Sequence, residues 1–136
     1  MRVKRLFSSA FLALLIAGCA STPVNPCSSG EQSVTFDSLY FGTAKPGGVV
    51  TAEEWAAFLD DTVGPEFPEG MTSWVATGRG ENPAGVVERE TSHLLQVAHD
   101  GSQEKDRAVQ RIMHRYKSRF QQEAVMRIRS QACRSF

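Results

Sequence analysis

The chain has 136 residues, 22% of them charged, and its fifteen basic side chains balance fifteen acidic ones. That length leaves room for one small domain, and a neutral balance removes the electrostatic argument for a nucleic-acid partner.

The first segment is an address. Arg2, Lys4 and Arg5 form a positive start, Phe11 to Ala17 is apolar, and Ile16-Ala17-Gly18-Cys19 closes the run. This is the layout of a secretory leader, too short to span a bilayer. A cysteine straight after two small residues resembles the lipobox of bacterial lipoproteins. The expectation is therefore cleavage before Cys19, acylation of that cysteine with palmitate-like chains, and stable anchoring through more than one chain. Ala20 follows where an aspartate would favour retention at the inner membrane, so the reading is an outer-membrane lipoprotein facing the periplasm. Loss of Arg2, Lys4 and Arg5 leaves twelve basic against fifteen acidic residues, a mature charge of −3.

Residues 19–33 are rich in Ser, Pro, Gly and Asn and read as a lipidated, flexible tether. One domain is expected over 34–136. Val34 to Phe41 is β-branched and aromatic, hence strand 1, and Ala44 to Gly48 is a turn. Thr51 and Glu54 form a capping box at the start of helix 1, with Val50 and Trp55 as its hydrophobic staple. Trp55, Phe58, Leu59 and Val63 make the apolar stripe of that helix, which Gly64-Pro65 ends.

Met71 to Thr77 is strand 2, and Gly78 to Gly85 is read as a hairpin loop. Val86 to His99 contains strand 3. Helix 2 runs from about Gln103 to Gln121, with Val109, Ile112, Met113, Tyr116 and Phe120 on its buried side. Strand 4 covers Ala124 to about Arg134, with Ala124, Met126 and Ile128 alternating against Val125, Arg127 and Arg129. The order β-α-β-β-α-β predicts an α+β fold. It is a ferredoxin-like plait, with a four-stranded antiparallel sheet in the order 4-1-3-2 and two helices on one face.

Two further expectations follow from that plait. From Cys19 to Glu104 there are three basic and thirteen acidic residues, and from Lys105 to Arg134 nine basic and two acidic. Side by side, the helices would turn this asymmetry into complementarity. Strands 1 and 4 would be antiparallel neighbours, so Cys27 and Cys133 would meet. An even pair left in an oxidising compartment predicts a disulfide between them.

The mature domain resembles the bacterial family called domain of unknown function 3574, over roughly Phe36 to Phe136. The resemblance rests on Leu39-Tyr40-Phe41-Gly42, on Trp55 with Phe58-Leu59, and on Arg89-Glu90-Thr91-Ser92. It continues through Tyr116 to Val125 and the terminal Cys133-Arg134-Ser135-Phe136. Thr91 departs from the proline usual after the Arg-Glu pair. The resemblance implies a small, often exported protein and no assigned reaction.

Candidate chemistry is sparse. His93 and His99 share a strand face about 20 Å apart at ~3.3 Å per residue, and His114 sits on helix 2, so no metal or other cofactor is expected. No nucleophile elbow, phosphate loop or dinucleotide fingerprint appears. The best constellation is Tyr40, Glu90, Glu123 and Arg127, expected to converge at one end of the sheet, with Tyr116 nearby. A carboxylate beside an arginine and a tyrosine could bind a small acid. The open sheet face is expected to display Arg127 and Arg129 and to serve a homodimer. The function read here is a membrane-anchored binding or interaction module. The alternative is a small-molecule enzyme of dimeric α/β-barrel type.

Overall fold

The computed structural model describes residues 27–81 and 83–136. The leader, Cys19 and the first part of the tether lie outside the described residues. Strand β1 covers Gln32–Gly42, and a two-plus-two hairpin follows as β2 (Ala44–Lys45) and β3 (Gly48–Val49). Helix α1 is Ala52–Phe58, continued by a π-helical turn over Leu59–Val63. Then come β4 (Thr72–Glu81), β5 (Val87–His99), α2 (Gln103–Phe120) and β6 (Met126–Arg134). The sheet order is β4-β5-β1-β6, antiparallel throughout, and this is the expected plait. Among the described residues no helix is long and apolar enough to cross a membrane.

The local chemistry accounts for the helix start. Thr51 Oγ accepts the Glu54 N–H at 3.2 Å, and the Glu54 carboxylate accepts the Thr51 N–H at 2.9 Å. Two otherwise orphaned donors are satisfied reciprocally. Trp55 and Phe58 then point onto the sheet with Val109, Ile112, Tyr116 and Phe120 from α2, covering Leu39, Phe41, Leu95 and Val97. Phe41 meets Tyr116 edge-on at 4.6 Å between ring centroids, an arrangement the ring quadrupoles favour.

The helix layer is laced by opposite charges, as the asymmetry suggested. Arg119 pairs with Asp61 at 2.8 Å and Arg111 with Glu66 at 2.7 Å. Glu54 instead pairs with Lys45 of the small hairpin. These pairs lie near solvent, where screening and the ordering of long side chains leave little net stabilisation.

Cys27 and Cys133 form a disulfide with Cα atoms 5.5 Å apart. It ties the residues before β1 to the end of β6, where Ser33 is the register partner of Cys133. The bridged residues are 106 positions apart, and closing so long a loop stabilises by ~5 kcal/mol in the chain-entropy picture.

Two features differ from the sequence reading. Residues 78 to 81 are strand, not loop: β4 and β5 stay paired out to Glu81 opposite Val87. Gly78 and Gly80 act there as strand residues, leaving bare backbone opposite Glu90 and Glu88. The second difference is the facing of β6. Arg127 is the register partner of Leu39 and Arg129 that of Asp37, whereas Met126 and Ile128 oppose Tyr40 and Ser38. Directly paired residues share a face. The arginines therefore lie on the helix side, and Met126 and Ile128 lie on the open face.

Candidate functional site

The reversed facing of β6 has an electrostatic cause. Asp37 is fully buried on the helix side of β1. Its carboxylate accepts from Arg127 Nε at 2.8 Å and Nη2 at 2.6 Å, from Arg129 Nε at 3.3 Å and from His99 Nε2 at 2.9 Å. His99 Nδ1 accepts the Gly101 N–H at 3.1 Å, so Nε2 is the ring nitrogen that donates to Asp37. Asp106 of α2 takes Arg127 Nη1 at 2.8 Å and also Arg129. A buried carboxylate must be paired, and two guanidiniums drawn to Asp37 outweigh the burial of Met126 and Ile128. Gly101 makes the turn possible. Its φ is +75°, and a Cβ there would stand 2.6 Å from Thr35 Oγ1.

Beyond the end of β1 the β4–β5 arm projects past the rest of the sheet. A groove of about 1150 Å³ runs between this arm, the β2–β3 hairpin and the turn from α2 into β6. Tyr40, Glu90 and Glu123 all line it, so three of the four expected residues come together. Arg127 does not join them: it is turned to the opposite face by Asp37 and Asp106. Arg127 is paired with Asp37 and Asp106 and not with Glu123. Arg79 and Arg89, direct partners across β4 and β5, contribute the arginines of the groove instead.

The groove wall is fixed by polar ties. The buried Tyr116 hydroxyl donates to the Gly42 carbonyl at 2.8 Å, and burial pushes its pKa well above the ordinary tyrosine value. Tyr116 is thus a core residue with a satisfied hydroxyl. Gln121 closes α2 in the left-handed region at φ 54°, and the Gln122 side-chain amide donates to the Ala44 carbonyl.

The open face of the sheet is a separate surface. From β4 it carries Thr72, Trp74 and Ala76, from β5 Leu94, Gln96 and Ala98, from β1 Val34, Phe36, Ser38 and Tyr40, and from β6 Met126, Ile128 and Ser130. None of these is charged; at its ends the same face carries Arg134, opposite Gln32, and Glu88 and Glu90 of the arm. Trp74 is 40% exposed, Ile128 51% and Met126 54%. Gln96 Nε2 donates to Ser38 Oγ at 3.0 Å, so the central polar pair satisfies itself.

His93 is buried on the helix side, stacked on Trp55 with ring centroids 4.4 Å apart. Neither ring nitrogen has a hydrogen-bond partner among the described residues. Burial lowers its pKa below the ordinary 6.5, with the Val50 main chain opposing in part. His93, His99 and His114 occupy three separate places: the Trp55 stack, the Asp37 cluster and the outer surface of α2.

Residues 37–136 match the family described as "Protein of unknown function (DUF3574)", and the chain belongs to that family. No curated protein matches it. A solved phage SAM lyase in complex with S-methyl-5'-thioadenosine is similar over 85% of this chain and 97% of its own, at 15% identity and a TM-score of 0.48.

Proposed function

We propose that this DUF3574 protein is a lipid-anchored envelope protein whose domain is an interaction module, and that a second copy seats on the open face of its sheet. The observation that carries this reading is the uncharged middle of the open face, bearing exposed Trp74, Met126 and Ile128. Every charged side chain between Val34 and Tyr40, and between Met126 and Ser130, belongs to the other face. The middle of this face is neutral and does not repel its own copy; its charged residues, Arg134 beside Gln32 and Glu88 and Glu90 on the arm, stand at its ends. Four strands at ~4.8 Å spacing and about ten residues at ~3.3 Å each give roughly 600 Å² per copy. Two copies would bury roughly 1,200 Å², the lower end of specific interfaces.

Export is supported by the lipobox-like leader and by the Cys27–Cys133 disulfide, which suits an oxidising compartment. The anchoring half of the reading is tested by labelling cells with radioactive palmitate. The native chain takes up label and sediments with membranes, and Cys19→Ser does neither. Labelling of Cys19→Ser would refute the anchor. The face half is tested by peroxide footprinting of the native chain. Oxidation of Met126 slows as protein concentration rises, because the second copy covers it. A Met126 rate independent of concentration would refute the seat.

A further inference from the structure

We infer that the groove beside the β4–β5 arm is a peptide-binding site, in which an extended segment of another protein adds as a strand to the free inner edge of β5. The groove lies beyond the end of β1 and meets the dimer face at Tyr40 and Met126.

The free edge follows from the register. β5 begins at Val87, but its pairing with β1 ends at Ser92 opposite Gly42. The residues before Ser92 therefore have β4 on one side and the groove on the other. The Thr91 carbonyl accepts the Thr43 N–H at 3.3 Å and the Thr43 hydroxyl at 2.9 Å, so the main chain of Thr91 points to the groove side. Main-chain groups alternate along a strand, so the N–H and C=O of Arg89 point the same way. Among the described residues no main-chain partner meets them. An edge of this kind is a template for strand addition, the main chain giving affinity and the side chains specificity.

The side chains define the chemistry of the guest. Arg89 and Arg79 are direct cross-strand partners on one face of the arm, and among the described residues neither is held in an ion pair. Like charges placed opposite each other destabilise a sheet, and an acidic residue on an added strand would relieve them. Glu90 alternates to the other face, where its partner is Gly78, and among the described residues no side chain answers its carboxylate. Glu123 lies across the groove. The guest is thus an extended segment with an acidic residue beside Arg89 and basic residues on either side of it, facing Glu90 and Glu123. Tyr40 at the groove's inner end offers a ring face and a hydroxyl to the guest's last residue.

The probe is a capped seven-residue peptide with a central glutamate, a lysine on each side and valine and threonine outside these. It is titrated into the full chain in detergent while amide hydrogen exchange is followed. The expected result is slower exchange of the Arg89 amide and saturable binding. Arg89→Pro removes the main-chain donor without touching a bond to β4, because that N–H points to the groove. It should weaken binding about tenfold or more. Arg89→Ala keeps the donor and should retain the exchange protection at reduced affinity. Unchanged affinity in Arg89→Pro, or no slowing of the Arg89 amide with the probe, would overturn the proposal. Should Arg89→Pro not fold, a peptide N-methylated at its central residues makes the same test on the native chain. Its binding as tightly as the parent would likewise overturn it.

Discussion

Asp37 is the residue on which the architecture turns. It is wholly buried and holds Arg127, Arg129 and His99. Removing one member of a buried ionic cluster leaves the others uncompensated and costs ~3–5 kcal/mol. Asp37→Ala should lose that much in urea unfolding, whereas Glu90→Gln on the exposed arm should stay within ~0.5 kcal/mol. Asp37 was legible as an oddity, an acid inside the apolar run Val34 to Phe41. Its parity with Leu39 and Phe41 places it on the core side. Following that parity would have predicted cationic partners from the neighbouring strand, and so the true facing of Arg127. The constellation of Tyr40, Glu90 and Glu123 was legible because all three lie where strands begin or end. Arg127 was misplaced because its nearest acidic residue in sequence, Glu123, is not its partner in space.

His93 makes a pH prediction at the same scale. Its pKa is depressed by burial, so the folded chain holds it neutral while the unfolded chain protonates it near 6.5. Its stability contribution is complete above that pH and is lost as pH falls through the unfolded value toward the folded one. Urea midpoints of the native chain should therefore fall as pH drops below ~6.5. His93→Phe, which keeps the stack on Trp55, should flatten that slope. An identical slope in the variant would remove His93 as its source.

Among the elements, helices and strand order were legible and strand facing was not. The capping box at Thr51 and the apolar stripe of α2 are local signals, and both are realised. β6 alternates apolar with basic, and the hydrophobic pattern alone assigns Met126 and Ile128 to the core. A one-residue difference in parity moves every side chain to the other face, and here buried electrostatics decided the outcome. The arm was misread for a different reason. Glycines in Gly78-Arg79-Gly80 signal turns in general, but an exposed two-stranded arm tolerates them, and only Gly85 near its tip has a positive φ of 78°. The disulfide links the residues before β1 to the end of β6. Replacing Cys27 and Cys133 together by Ser should cost ~2–5 kcal/mol, read as a lower thermal midpoint with the far-ultraviolet spectrum retained. No change in midpoint would show that the bridge contributes nothing to the fold.

The whole molecule separates its charges in an unusual way. The helix side carries the ion pairs, including a buried cluster within the fold, and the middle of the open sheet face, from Val34 to Tyr40 on β1 and Met126 to Ser130 on β6, carries no charged side chain. A monomer gains nothing by exposing Trp74, Met126 and Ile128, and exposed apolar patches of this kind mark contact surfaces. The groove at the sheet end, with Tyr40 and Met126 on its border, adjoins that face. A second copy seated there would bound the groove from below and make one assembly of the two surfaces.

The most direct measurement is sedimentation equilibrium of the full chain in density-matched detergent, for the native sequence and for Trp74→Glu combined with Ile128→Lys. Seating of a second copy on the open face predicts a native dimer and a folded, disulfide-bonded monomer in the double variant. A native monomer, or a dimer that survives both charges, would contradict it.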